Sequence, residues 1–113
     1  MALTAVDLVQ EAKKTIKEVN IDQANTMIAD GSTALDIREP AEYEAGNIPN
    51  SIHIPRGVLE FQITDHPSFQ DRDASIVIYC RSGGRSALAA KSLEKLGYTN
   101  TCSMAGGYTS WAE

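Results

Sequence analysis

Short apolar runs alternate with segments of helical periodicity along the 113 residues of the chain. Five of these runs have the apolar and β-branched content of strands, and they lie at 16–20, 34–37, 51–54, 75–79 and 99–104. The run SIVIY at 75–79 is typical of a strand that is covered on both faces. Because strands that alternate with helices need crossover connections, the pattern predicts an α/β fold with a mainly parallel sheet.

Helical segments separate the predicted strands. The first lies at 3–15, with Thr4 as a candidate N-cap. The segment 86–96 repeats apolar residues at i, i+4 and i+7, and Gly97 follows it as a stop signal. Further helical segments are predicted at 21–31, 40–46, 57–63 and 106–113, and the polar stretch 64–73 is predicted to be a surface loop.

Composition and charge narrow the function classes. A hydrophobic fraction of 42% and a charged fraction of 22% are ordinary for one globular domain. A net charge of −5 argues against general nucleic-acid binding, and the absence of a long apolar run argues against a membrane span. Two cysteines behind an N-terminus without signal-peptide features predict reduced thiols and a cytoplasmic location.

The stretch CRSGGRS, residues 80–86, follows the most apolar predicted strand and precedes a helix. Ligands of parallel α/β sheets bind beyond the carboxyl ends of the strands, so this loop lies where a site is expected. Gly83 and Gly84 allow the backbone to turn successive N–H groups inward, and such a nest binds anions. Ser86 is predicted to cap the helix that follows.

Cys80 begins this loop and is the candidate nucleophile. Backbone donors, a helix N-terminus and the neighbouring Arg81 and Arg85 all favour the thiolate, which is the reactive form of cysteine. The two arginines also suit an anionic substrate. A cysteine that ends a buried strand is, however, often a small core residue, and this alternative stays open.

Three ordered motifs resemble the rhodanese family of sulfurtransferases. YCRSGGRS, at 79–86, resembles the active-site loop Tyr-Cys-x-x-Gly-x-Arg-Ser. LDIREPAEYEAGNIPNSIHIP, at 35–55, resembles the upstream signature, and MAGGYTSW, at 104–111, is similar to the closing Gly-Gly-x-x-x-Trp element. The matched region covers about 16–111, so we expect residues 1–15 to be an N-terminal helical extension and residues 16–113 to be a rhodanese-like domain.

The resemblance implies a five-stranded sheet with helices on both faces and an extra N-terminal helix. It also implies that Cys80 takes a sulfur atom from a small anionic donor such as thiosulfate, holds it as a persulfide, and passes it to a thiol, to cyanide or to a protein acceptor. Neither a cofactor nor a metal is expected. The implied substrate-binding residues are those of the loop, Arg81, Ser82, Gly83, Gly84, Arg85 and Ser86.

Residues outside the loop receive smaller roles. By the same resemblance, Asp36 and Arg38 are expected to support the active loop. Asn50 stands where the family has glycine, and asparagine tolerates the left-handed conformation that such a turn needs. Tyr108 is interpreted as a core-packing residue. The acidic residues after strand 34–37 are expected to form a solvated face, and they are Glu39, Glu42 and Glu44.

The sequence leaves two function classes beside an enzymatic sulfurtransferase. The chain could be a persulfide carrier or partner-binding module that relays sulfur from another protein. The second is phosphatase or arsenate reductase chemistry, because dual-specificity phosphatases of related fold also use a cysteine loop. Those phosphatases have five residues between cysteine and arginine, whereas only four separate Cys80 from Arg85. Cys102 is interpreted as a core residue, with a disulfide to Cys80 as the alternative.

Overall fold

A five-stranded parallel sheet forms the centre of the protein in a computed structural model that describes residues 2–113. The strands follow the order β1-β5-β4-β2-β3, and each neighbouring pair is parallel. Their bounds are β1 Glu18–Val19, β2 Thr33–Asp36, β3 Ile52–His53, β4 Ile76–Tyr79 and β5 Thr101–Met104. The predicted strands and the fold class are therefore confirmed. Four strands are shorter than their predicted runs, while β2 has the predicted length and begins one residue earlier.

Helices connect the strands. Their bounds are α1 Ala5–Lys13, α2 Ile21–Ala29, α3 Pro40–Ala45, α4 Leu59–Gln62, α5 Gly84–Lys95 and α6 Gly107–Trp111. Among residues 2–113, no helix has both the length and the apolar character that a membrane span requires. The chain turns through Asn50 with a φ of 66°, so asparagine does adopt the left-handed conformation there.

The central strand β4 explains why helices lie on both faces of the sheet. All four of its residues are buried, and their side chains alternate between the two faces. Ile76 and Ile78 belong to the core that α4 and α5 cover. Val77 and Tyr79 belong to the core that α2 and α6 cover. Because β4 lies in the middle of the sheet and is covered on both faces, it has no polar face, as the sequence predicts.

Helix α1 lies outside the two core layers. Thr4 caps it through a capping box with Asp7, in which each side chain accepts a hydrogen bond from the other residue's backbone N–H. Ala12 is its buried residue, and the helix packs against α5. The extra N-terminal helix is thus present, while a domain boundary after residue 15 stays a prediction.

The segment 64–73 differs from its predicted structure. It contains 3₁₀-helical turns at Ile63–Asp65 and Pro67–Phe69 instead of an open loop. Phe69 is buried in the core below α4, and the hydroxyl of Tyr98 donates a hydrogen bond to the Phe69 carbonyl at 2.9 Å. The buried side chain of Phe69 therefore holds this polar segment against the domain. The polar composition of the segment does not indicate this contact.

Candidate functional site

The loop after β4 passes directly into helix α5. Gly83 precedes the helix in the left-handed region, with a φ of 108°, and the helix begins at Gly84. This start is two residues earlier than predicted, because Gly84 and Arg85 belong to the helix instead of to the loop. Ser86 is consequently inside the first turn, fully buried, and the prediction that it caps α5 is wrong.

The sulfur of Cys80 lies within the concave side of this loop. The N–H groups of Gly83 and Ser86 donate to Sγ at 3.1 and 3.4 Å, and the Ser86 hydroxyl oxygen lies 3.5 Å away. The residue is 1% exposed, but its sulfur is in contact with amide hydrogens and not only with apolar side chains. The backbone of the loop and the first turn of α5 together form the sulfur-binding nest.

Two opposing effects act on the pKa of the Cys80 thiol. Burial raises the pKa, because a thiolate loses hydration inside the protein. Hydrogen bonds from the Ser86 hydroxyl and from the N–H groups of Ser86, Gly83 and Ser82 lower it. The hydrogen bonds outweigh burial, so the pKa lies below its ordinary value and the thiolate is favoured.

Arg85 forms an ion pair that the sequence does not reveal. Its Nη1 and Nη2 donate to the two carboxylate oxygens of Glu42 at 2.9 and 3.1 Å. Hydrogen bonding from Arg85 is the main cause that lowers the pKa of Glu42 to about 2. Glu42 is therefore not part of a merely solvated acidic face, and that expectation is wrong for this residue. The pair ties helix α3 to the start of α5.

A cavity of about 220 Å³ opens beside the loop. Its lining residues come from the active-site loop, from α3 and the residue after it, from α6 and from the end of β2. They are Arg81, Glu42, Ala45, Gly46, Tyr108, Thr109 and Arg38. Tyr108 therefore has a surface role in addition to the packing that was predicted. Among residues 2–113, His, Cys, Asp and Glu side chains form no cluster of three or more that could bind a metal ion.

Asp36 and Arg38 form a buried pair at the end of β2. The Arg38 guanidinium donates to the Asp36 carboxylate, with Nη2 2.7 Å from Oδ2, and also to the carbonyl of Gly46 at 2.7 Å. The same guanidinium lies over the Tyr108 ring, 4.3 Å from its centroid. Asp36 is fully buried, so its contact with the cavity is through Arg38, which lines it.

Helix α6 holds the other side of the loop. The N–H of Tyr108 donates to the Cys80 carbonyl at 2.8 Å, and the N–H of Thr109 donates to the Arg81 carbonyl at 3.1 Å. These bonds need the close approach of Gly107, whose φ is 60°. The double glycine before Tyr108 is the sequence signal for this contact. The motif MAGGYTSW contains this signal, but it does not indicate that the glycines pack against the active-site loop.

The two cysteines lie apart on opposite faces of the sheet. Cys80 belongs to the core under α5, and Cys102 belongs to the core under α2 and α6. The register pairs Cys102 with Val77, three residues before Cys80, which separates the two Cα atoms by about 10 Å along the strand. A disulfide needs about 7 Å or less. Both thiols are free, and burial raises the pKa of Cys102.

Comparison with known proteins agrees with this geometry. Residues 20–113 match the family model of the rhodanese-like domain. The chain is 35% identical to a sulfurtransferase of Allochromatium vinosum over 86% of this chain and 89% of that protein. It is 32% identical to the thiosulfate sulfurtransferase GlpE of Pseudomonas entomophila, over 84% of each chain.

A solved structure also shares the N-terminal helix region. It is a Rhodopseudomonas palustris protein of unknown function that is named a possible tyrosine phosphatase. The TM-score is 0.90 at 33% identity, and the match covers 99% of this chain and 91% of that one. The similarity therefore extends beyond the residues that the family model matches, into α1.

Proposed function

The chain belongs to the rhodanese-like domain family, and from this premise we propose that it is a thiosulfate sulfurtransferase that works through a persulfide on Cys80. The observation that carries the proposal is the position of the Cys80 sulfur inside the nest, with N–H donors at 3.1 and 3.4 Å. A nest that stabilises a thiolate also stabilises the negatively charged outer sulfur of a persulfide.

The proposed reaction has two displacement steps. The Cys80 thiolate attacks the outer sulfur of thiosulfate, a new S–S bond forms, and sulfite leaves with the electron pair of the bond that breaks. An acceptor such as cyanide or a thiolate then attacks the outer sulfur of the persulfide. The second step releases thiocyanate or a new persulfide and returns Cys80 as a thiolate, so no external oxidant or reductant is consumed.

Charge around the loop supports a small anionic donor. Arg81 lines the 220 Å³ cavity, together with Arg38, whose charge is balanced by Asp36. The loop amides supply further donors to an anion at the amino end of α5, where the helix dipole is positive. In this proposal Arg81 orients the sulfonate end of thiosulfate, while Ser82, Gly83, Gly84 and Ser86 contribute backbone N–H groups.

One observation favours a second candidate, a sulfur relay between proteins. The charge of Arg85 is already balanced by Glu42, so less positive charge is free for a small dianion than the sequence alone indicates. A relay would receive its sulfur from a persulfidated protein and would not depend on donor charge.

Steady-state assays with thiosulfate and cyanide distinguish these functions. The enzyme proposal expects thiocyanate formation that is lost in Cys80→Ser and retained in Cys102→Ala. It also expects a higher KM for thiosulfate in Arg81→Ala. No turnover, together with rapid uptake of sulfur from a persulfidated protein, would favour the relay. Hydrolysis of p-nitrophenyl phosphate that needs Cys80 would instead support a phosphatase.

A further inference from the structure

A buried pair of hydroxyl groups lies directly behind the candidate nucleophile. The Ser86 hydroxyl oxygen is 3.5 Å from the Cys80 sulfur and 2.7 Å from the hydroxyl oxygen of Ser103. Ser103 belongs to β5, the neighbour of β4 in the sheet, and it is fully buried. Ser103 lies outside the active-site loop and takes no part in the two displacement steps.

The direction of the bond between the two serines follows from counting hydrogens. The Ser103 hydroxyl has one hydrogen, and within residues 2–113 the Ser86 oxygen is its hydrogen-bond partner. Buried hydroxyl donors are rarely left without an acceptor, so Ser103 donates to Ser86. The single hydrogen of Ser86 then remains for the Cys80 sulfur or for the carbonyl of Gly83, which lies 3.2 Å away.

We propose that Ser103 is a positioning residue that orients the Ser86 hydroxyl toward the sulfur of Cys80. A hydroxyl that accepts from Ser103 has its own hydrogen free to donate to a thiolate or to the inner sulfur of a persulfide. Polarisation along the chain strengthens that bond in a dry environment. The catalytic purpose of this hydrogen bond rests on the proposed sulfur transfer. The bond itself needs only a thiolate at Cys80, with or without a sulfur donor.

The other groups around Cys80 belong to elements other than β5, which carries Ser103. Arg81 and Arg85 belong to the loop and to α5, and Glu42 of α3 pairs with Arg85. Helix α6 approaches Cys80 with the backbone N–H of Tyr108, and β5 approaches through Ser103. A change in Cys80 ionisation after substitution of Ser103 therefore reports on the hydroxyl pair.

The test is the pH dependence of Cys80 alkylation by iodoacetamide, followed on tryptic peptides that separate Cys80 from Cys102. Ser103→Ala is expected to raise the midpoint of the profile by about 0.5–1 pH unit, the effect of one neutral hydrogen bond. The matched control is Ser75→Ala, because Ser75 and Ser32 form a similar hydroxyl pair, 2.6 Å apart, at the opposite end of β4 from Cys80. The control is expected to leave the midpoint unchanged.

A double variant tests whether Ser103 acts through Ser86. In a Ser86→Ala background, Ser103→Ala is expected to cause no further shift of the midpoint. An independent shift in the double variant, or an unchanged midpoint in Ser103→Ala alone, would overturn the proposal. If Ser103→Ala does not fold, Ser103→Thr and Ser103→Val are compared, because these two side chains have the same shape and differ in the hydroxyl group. Equal midpoints in these two variants would also refute the proposal. None of these measurements needs a sulfur donor, so they remain decisive if the sulfurtransferase assays fail.

Discussion

Replacing Gly107 by alanine is expected to disturb the active loop from outside. A Cβ built at this position would lie 2.5 Å from the carbonyl carbon and oxygen of Arg81 and 2.6 Å from the carbonyl oxygen of Cys80. These atoms are backbone, and the two oxygens accept the hydrogen bonds from the N–H groups of Tyr108 and Thr109. Gly107→Ala therefore cannot be relieved by a side-chain rotation, and either the loop or α6 must move.

The expected loss of stability in Gly107→Ala has two contributions, and a control variant at Gly31 separates them. A non-glycine residue at positive φ costs about 1–2 kcal/mol, and overpacking against a fixed neighbour adds about 1–3 kcal/mol. We expect Gly107→Ala to lower the free energy of unfolding by about 2–5 kcal/mol. Gly31 also has a positive φ, 110°, but a Cβ there meets no atom within 4 Å. Gly31→Ala should therefore lose only the first part.

Urea unfolding at neutral pH measures both variants against the parent protein. With an m value of about 1–3 kcal/mol per molar, a difference of about 2 kcal/mol moves the midpoint by roughly 1 M. Cys80 alkylation should also slow in Gly107→Ala and not in Gly31→Ala, because the nest shares its backbone with the displaced carbonyls. Equal unfolding midpoints for the two variants would refute the argument that α6 sets the position of the loop.

Two further predictions concern charge and the second cysteine. Glu42→Gln should lower the free energy of unfolding at pH 7 by about 0.5–1 kcal/mol, a value reduced for the partial exposure of the pair. Because the pKa of Glu42 in the folded protein is lowered to about 2, the parent protein should lose this contribution as the pH falls from about 4.5 toward 2. Urea titrations across this range measure the loss. An equal decrease of the free energy of unfolding in Glu42→Gln would contradict the prediction. Cys102→Ala should leave the rate of Cys80 alkylation unchanged, and a slower rate would show that the cysteines are coupled.

The elements that the sequence predicts best are those fixed by local pattern. The strand β4 and the glycines after it carry their own signals, so the position of the loop at the centre of the sheet follows from about ten residues. The N-cap at Thr4 and the left-handed turn at Asn50 are local in the same sense.

The features that the sequence does not predict depend on distant partners. Glu42 and Arg85 are 43 residues apart, and no pattern within α3 distinguishes Glu42 from its solvated neighbours. The start of α5 is likewise set by contact, since the loop closes around the Cys80 sulfur and draws Ser86 inside the first turn. Tertiary packing decides such details where local propensity permits more than one result.

Intact-mass measurement after incubation with thiosulfate tests the central claim most directly. We expect the parent protein to gain one sulfur atom, peptide mapping to locate this atom on Cys80, and a thiol to remove it. Cys80→Ser should gain nothing. No added sulfur in a folded parent protein, or the same gain in Cys80→Ser, would contradict the claim that the nest holds a persulfide on this cysteine.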